Sequence, residues 1–251
     1  IAYLSTCSDE RPVESAHFLV LDLETGHYRH LMDCRHMYAF IALDHKGRAY
    51  HPVLGGDIAR YDPNEKKLSR IPQTIDGKPP TPESLLAHEN SHPINWDFTP
   101  DRKSLYAIAM SGNQLYHYDL MASEKAMRGE SLGKLLPHAA QTDCRAMCVG
   151  PTGTVWAVVL EKGKHLHLVS YRKGDQAPRD HGELFVSNPE YTPFKDPTGK
   201  ALPWHHGMKT LPNGKMTPLY HMGVCEARNG SVYVTVIYPF TVIKIERKDL
   251  Q

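Results

Sequence analysis

Residues 39–63 read AFIALDHKGRAYHPVLGGDIARYDP, and the grammar of that stretch settles the fold class. An apolar run, AFIAL, stops at the turn DHKG. A second run, RAYHP, follows, and after a Gly-containing break a third closes on IARYD. Each run is too short for an ordinary helix, and each is bounded by turn residues, as short strands are. DHKG between two such runs makes a tight hairpin.

The same grammar recurs in residues 94–120 (INWDFTPDRKSLYAIAMSGNQLYHYDL), 145–173 (RAMCVGPTGTVWAVVLEKGKHLHLVSYRK) and 223–248 (GVCEARNGSVYVTVIYPFTVIKIERK). Repetition of one supersecondary unit marks an array in which each unit buries its faces against its neighbours. The turns DHKG, PDRK, GPTG and ARNG take equivalent places, and Tyr50, Tyr106, Trp156 and Tyr233 follow them. Bulky β-formers at those positions are placed to fill the space between neighbouring sheets. A fourth strand follows three of the units, in KLSRIP, SLGKLLP and HGELFV.

These features predict an all-β fold, a β-propeller of four-stranded antiparallel blades, with about four to five blades in this chain. The expected division is a single propeller domain: blade remnants in 1–33, blades at about 36–72, 94–137, 145–186 and 221–251, and a loop insertion at 187–218. IAYLST, HFLVLDL and YRHLMD read as the last three strands of a preceding blade, and TVIKIER as the third strand of the last. Since propellers close by completing one blade from both ends, missing N-terminal blades or a partner chain are expected to complete the ring. The first residue is Ile and no signal peptide precedes it, so the chain is expected to be a processed or partial product. A periplasmic or extracellular place is the favoured expectation. Short helices are expected only at Ser84 to Glu89 and Ala122 to Arg128. Gln73 to Pro93, Met121 to Pro137 and Ser187 to Pro218 read as long connections, where function concentrates.

The segments GDIARYDP, GNQLYHYDL and LVLDLETG resemble the third strands of the broad superfamily of repeat propellers, which includes the tryptophan-aspartate repeat, NHL and gluconolactonase-like families. The resemblance covers most of the chain and implies the fold. Its motifs are structural, the signature dipeptides of the first family are missing, and members range from scaffolds to lactonases, lyases and electron-transfer proteins. Chemistry must therefore be argued from a site.

Net charge is +1, from 29 basic and 28 acidic residues, so no global field draws the chain to nucleic acid or to an anionic membrane. No apolar run approaches the ~20 residues that span a bilayer. Five cysteines (Cys7, Cys34, Cys144, Cys148, Cys225) are too few for a disulfide scaffold and read as buried apolar residues. Nucleotide-binding glycine loops, the GxSxG elbow, HExxH, CxxCH and Ca²⁺-loop patterns are absent from the sequence.

Sixteen histidines are many for this length. In a propeller, the residues leading into each innermost strand converge at one mouth of the central channel. They read Asp33-Cys34-Arg35-His36, His88-Glu89-Asn90-Ser91-His92, Asp143-Cys144-Arg145 and His221, with His205 and His206 just upstream of the last. Asp-Cys-Arg recurs at what reads as the same point of two blades.

Arginine forks suit carboxylate, sulfate or phosphate, and neutral histidine moves protons or ligates metals. The expectation is a His/Arg-lined pocket at the channel mouth, taking an anionic or carbohydrate-like small molecule. Its catalytic residues are His36, His92, Arg145 and Tyr220 (with Tyr38 nearby), its substrate-binding residues Arg35 and Trp204, and its metal ligands His205, His206 and His221. A divalent metal is the one cofactor this pattern suggests. The chemistry would be that of a lyase or hydrolase, with a cation stabilising an enolate-like carboxylate. In the competing reading, Asp-Arg pairs tie blades together, the histidines are satisfied loop residues, and the protein is a non-catalytic ligand- or protein-binding propeller. His165 and His167 share one strand face, read as solvated or lying between blades.

Overall fold

A computed structural model describes the chain except residues 8–9, 12–13, 15, 36–40, 82–93, 187–194, 201–207, 219, 237–240 and 251. Within the described residues the secondary structure is β-strand, with one 3₁₀ turn at Arg247–Leu250. Two compact units, Ile1–Gly133 and Lys134–Gln251, carry it. The fold is a repeat β-propeller built from antiparallel blades.

In the first unit, β1 (Ala2–Ser5), β2 (His17–Leu21) and β3 (Tyr28–Asp33) form a three-stranded sheet. The described part of the opening stretch, residues 41–63, folds as anticipated. β4 (Ala42–Leu43), β5 (Ala49–Pro52) and β6 (Ile58–Asp62) are followed by β7 (Lys67–Ile71) in a four-stranded meander. The next blade holds β9 (Ile94–Phe98), β10 (Ser104–Ala109), β11 (Gln114–Asp119) and β12 (Met127–Lys134). β8 (Gln73–Ile75) adds to its outer edge in parallel with β12.

Tyr50, Ile58 and Ile71 of one blade pack with Ile94, Trp96, Leu105 and Ala107 of the next, so the aromatic after the DHKG turn does lie between blades. Phe18 and Tyr3 pack likewise against Ala49, Ala59 and Tyr61. Removing such side chains from water is the dominant favourable contribution to the fold.

In the second unit, β13 (Thr142–Val149), β14 (Val155–Glu161), β15 (Leu166–Tyr171) and β16 (Arg179–Glu183) form a four-stranded blade. β17 (Met208–Thr210) and β18 (Met216–Pro218) form a hairpin. β19 (His221–Glu226), β20 (Val232–Val236) and β21 (Thr241–Ile245) form a three-stranded sheet. Trp156, Val158, Leu166 and Leu168 meet Val224, Val232 and Val234 across the gap between those two sheets.

Three details differ from the sequence reading. Ala122 to Arg128 is not helical, because the Ser123 hydroxyl captures the Lys125 and Ala126 amides in a turn and β12 begins at Met127. The fourth strand of that blade therefore occupies much of what reads as a long connection. Gly129 permits this pairing, since a Cβ there would lie 2.6 Å from the Tyr118 ring. Likewise, the start of the Gln73 to Pro93 connection is strand β8.

The repeated turn has one chemical exception. Gly47, Gly153 and Gly230 occupy the left-handed position, with φ of 75°, 80° and 82°, and each closes a turn by bonding the carbonyl three residues back. In the second blade that position falls on Arg102, with φ of 55°. A side chain there costs about 1–2 kcal/mol. Arg102→Gly is expected to stabilise the first unit by about 0.5–1 kcal/mol after the greater freedom of glycine in the unfolded chain is subtracted. A higher urea midpoint with an unchanged slope is the expected readout.

Candidate functional site

The lead-in residues separate into two places in the fold. Asp33 ends the outer strand β3, where its carboxylate bonds His17 Nδ1 at 2.6 Å and His30 Nε2 at 2.8 Å. These bonds, that to His17 foremost, hold its pKa below the usual carboxylate value. Cys34 is fully buried, which pushes its thiol up to about 12, and Arg35 has φ of 53°. Asp143, by contrast, lies inside the innermost strand β13. The two Asp-Cys-Arg triplets thus do not occupy corresponding points, because one closes an outer strand while the other opens an inner one. His36, His92, Trp204, His205 and His206, as well as Tyr38, lie outside the described residues.

Of the named site residues, the structure brings Arg145, Tyr220 and His221 together. A β-bulge between Cys144 and Ala146 re-aims the strand at this point. Arg145 Nε donates to both Asp143 oxygens, at 3.1 and 2.9 Å, and its guanidinium stacks 4.3 Å from the Tyr220 ring centroid. The backbone N–H of Arg145 donates to His221 Nε2 at 3.0 Å, and the same ring bonds the backbone of Val158. His221 therefore ties β19 to β13 and β14, and metal ligation through Nε2 would first have to break the bond from Arg145.

Burial, then the Arg145 charge, lowers the His221 pKa from 6.5 to about 3. Between those values the unfolded chain binds a proton that the folded ring refuses. The His221 contribution is thus fully present above about pH 6.5 and is lost as pH falls towards 3. His221→Gln, which keeps an acceptor and a donor, is expected to flatten the fall in urea midpoint between pH 7 and 4. An unchanged slope would show that the ring is not the titrating group.

At the opposite end of the same strands lies a cleft that the sequence reading did not identify. It encloses about 720 Å³ and is lined by Arg172, Arg179, Arg228 and Arg247 against the carboxylates of Asp175 and Glu226. Thr152, Ser170, Gln176, Trp156 and His181 complete the polar wall. Its parts come from the β13–β14 turn, the β15–β16 turn, the β19–β20 turn and the 3₁₀ turn after β21.

Glu226 crosses from β19 to the neighbouring turn, where Thr152 donates to its two oxygens at 3.3 and 3.1 Å. Gly150 makes that crossing feasible, since a Cβ there would lie 1.7 Å from Glu226 Oε2. Arg172 Nε donates to Thr154 Oγ1 at 3.0 Å, which aims its fork along the wall. Trp156 is buried beneath His181, ring centroids 5.5 Å apart, and its Nε1–H finds no acceptor among the described residues. Burial and the nearby Arg179 charge lower the His181 pKa, and its Nε2 lies 2.8 Å from Ser170 Oγ.

No helix among the described residues is long and apolar enough to cross a membrane. No protein-family model matches the chain. No curated protein matches it either.

Solved structures do match. The propeller domain of Cps50 (Swd1) from Myceliophteria thermophila aligns with TM-score 0.53 and 9% identity, over 90% of this chain and 62% of that one. A protein assigned as TolB from Agrobacterium tumefaciens aligns with TM-score 0.50 and 9% identity, over 94% of this chain and 67% of that one. The extracellular domain of a protein assigned as a one-component system from B. thetaiotaomicron aligns with TM-score 0.50 and 13% identity, over 96% of this chain and 31% of that one. The chain thus spans between about a third and two thirds of these structures. At such identities the likeness establishes the propeller fold, which hosts both enzymes and binding scaffolds, and assigns no subfamily.

Proposed function

We propose that this chain is a ligand-binding propeller that takes a small polyhydroxylated anion, of the class of sulfated or uronic-acid oligosaccharides, in the arginine-lined cleft of its second unit. The observation that carries this reading is the convergence on one cleft of four arginines, Arg172 and Arg179 from the two sides of the β15–β16 connection, Arg228 from the β19–β20 turn and Arg247 from the 3₁₀ turn, against the two carboxylates of Asp175 and Glu226. Like charges are gathered at a cost unless an anion offsets them, and each planar fork matches a carboxylate or sulfate. The hydroxyl, amide and carboxylate groups between the arginines suit the hydroxyls of a sugar, and the volume lies in the range of small-ligand sites. Calorimetric titration with an oligosaccharide and its desulfated or carboxyl-reduced counterpart tests the reading. Binding of the anionic form alone supports it, and equal binding of both forms contradicts it.

Hydrolysis of the bound ligand is a second reading, favoured by the Ser170–His181 pair. A hydroxyl within hydrogen-bond reach of an imidazole kept neutral by burial is the arrangement of a nucleophile and its base. Ester or lactone hydrolysis abolished in Ser170→Ala, with ligand affinity retained, is the expected result. Activity that persists in Ser170→Ala rules the pair out as its source. The Arg145–Tyr220–His221 cluster is the competing location for a ligand, and arginine protection distinguishes the two.

A further inference from the structure

His167 sits on β15, at the opposite end of the blade from the arginine cleft, with only 8% of its side chain exposed. Its Nδ1 bonds both oxygens of Asp180, at 3.1 and 3.0 Å, while its Nε2 is buried with no hydrogen-bond partner among the described residues. A buried ring nitrogen left without a partner is rare in folded proteins and calls for something to meet it.

Two other donors stand next to it. Glu161, at the end of β14, has 9% side-chain exposure, and His138 precedes β13. One donor atom from each of His138, Glu161 and His167 lies within 4.8 Å of the others. The His138 and His167 ring centroids are 5.9 Å apart.

From this geometry we propose that His138, Glu161 and His167 bind a divalent transition metal of the Zn²⁺ class. Two imidazoles and one carboxylate are a borderline donor set that selects such ions over Mg²⁺ or Ca²⁺. Bonds of about 2.0–2.1 Å around a tetrahedral ion place ligand atoms roughly 3.3 Å apart. His138 Nε2 and Glu161 Oε2 are already 3.4 Å apart. The exposed His138 has room to draw in further.

The outer shell is also present. Asp180 fixes the His167 ring with Nε2 as the free donor, the carboxylate–histidine arrangement that orients metal ligands. Asp180 is itself fixed by the Gly182 N–H at 2.8 Å, and a bulge in the β15–β16 pairing, between His167 and Val169, shapes this stretch. Lys164 holds Glu161 Oε1 at 2.7 Å, which leaves Oε2 to face the ion. Three protein ligands leave one position open to water or to an oxygen anion of a bound molecule.

His17, His30 and Asp33 also gather three donors. They lie at the surface, however, and their carboxylate oxygen already accepts from both rings. That group has no buried orphan atom to point to a ligand.

The test is Zn²⁺ titration of the chelator-treated full chain by calorimetry, with Co²⁺ absorption as a second readout. One equivalent is expected to bind, with affinity at least 100-fold weaker in His138→Ala and in Glu161→Gln. Asp180→Asn is expected to weaken it about 10- to 100-fold. His138 is exposed and outside the strands, so its replacement leaves the fold intact. In the wild type, Zn²⁺ is expected to shift the ring proton resonances of His138 and His167 but not those of His17 and His30. Absence of Zn²⁺ binding, or binding that survives His138→Ala and Glu161→Gln and disappears in His17→Ala/His30→Ala, would overturn the proposal. Neither outcome bears on the arginine cleft, whose ligand is read separately.

Discussion

Asp44→Ala is expected to cost the first unit about 3–5 kcal/mol, as is usual when one partner of a buried ion pair is removed. The Asp44 side chain is fully buried in the DHKG turn. It accepts the Lys46 and Arg48 amides, Arg48 Nε at 2.7 Å and the Tyr50 hydroxyl at 2.9 Å. Arg48 is 4% exposed, and its other partner is Glu124, which comes from the neighbouring blade and also holds Arg60 and Lys46.

Burial opposes the charge on Arg48, yet the bonds to Asp44 and Glu124 prevail and keep its pKa above the usual value. Removing Asp44 leaves a buried guanidinium with one partner, a phenol with none, and a turn without its side-chain acceptor. Native-state hydrogen exchange on peptides from β5 and β6 reads the loss in the unit concerned. Lys46→Ala, which breaks only an exposed contact, is the control and is expected to cost no more than about 0.5 kcal/mol. A loss under about 1 kcal/mol in Asp44→Ala would show that the network is solvated. The same network predicts acid sensitivity. Burial works against the Glu124 carboxylate, but its bonds to Lys46 and Arg48 lower the pKa from 4.5 to about 2, so its contribution is present above pH 4.5 and lost as pH falls to about 2.

The second large effect is on ligand affinity. Arg179→Ala/Arg228→Ala is expected to weaken binding of an anionic oligosaccharide about 100-fold or more, since a charge-assisted bond contributes roughly 1.5–3 kcal/mol. Both residues are exposed or half-buried, Arg179 at the start of β16 and Arg228 on a turn, so the fold tolerates loss of their side chains. Remaining affinity is expected to fall less steeply with added salt than in the wild type, because fewer charges are left to screen. Unchanged affinity and salt dependence would place the ligand elsewhere.

The strands were legible because their signal is local. Alternation, the turn quartets and the aromatics that follow them recur within each blade, and no distant contact is needed to read them. β8 was hidden because three residues, Gln73-Thr74-Ile75, become a strand only when the edge of β12 accepts them. Sequence shows no such edge. The Arg145, Tyr220 and His221 grouping was legible for the same reason as the fold, since propeller repetition brings strand beginnings together. The arginine cleft was not, because its four arginines come from turns and a strand end at the far end of the blades, and each one alone reads as a solvated surface residue. His167 was read as sharing a strand face with His165, but β15 begins at Leu166, and alternation cannot tell a solvated face from one closed by Asp180, Glu161 and His138. A search for His, Asp and Glu at the ends of paired strands, with the register supplied, would have found it.

Arginine protection measures directly where an anionic ligand sits. Phenylglyoxal modification of the intact chain, with and without a saturating sulfated or uronic-acid oligosaccharide, is mapped by peptide mass analysis. The expected result is protection of Arg172, Arg179, Arg228 and Arg247, with Arg145 and Arg35 modified equally in both samples. Protection of Arg145 with the four cleft arginines unprotected would contradict the account and return the site to the Arg145–Tyr220–His221 cluster.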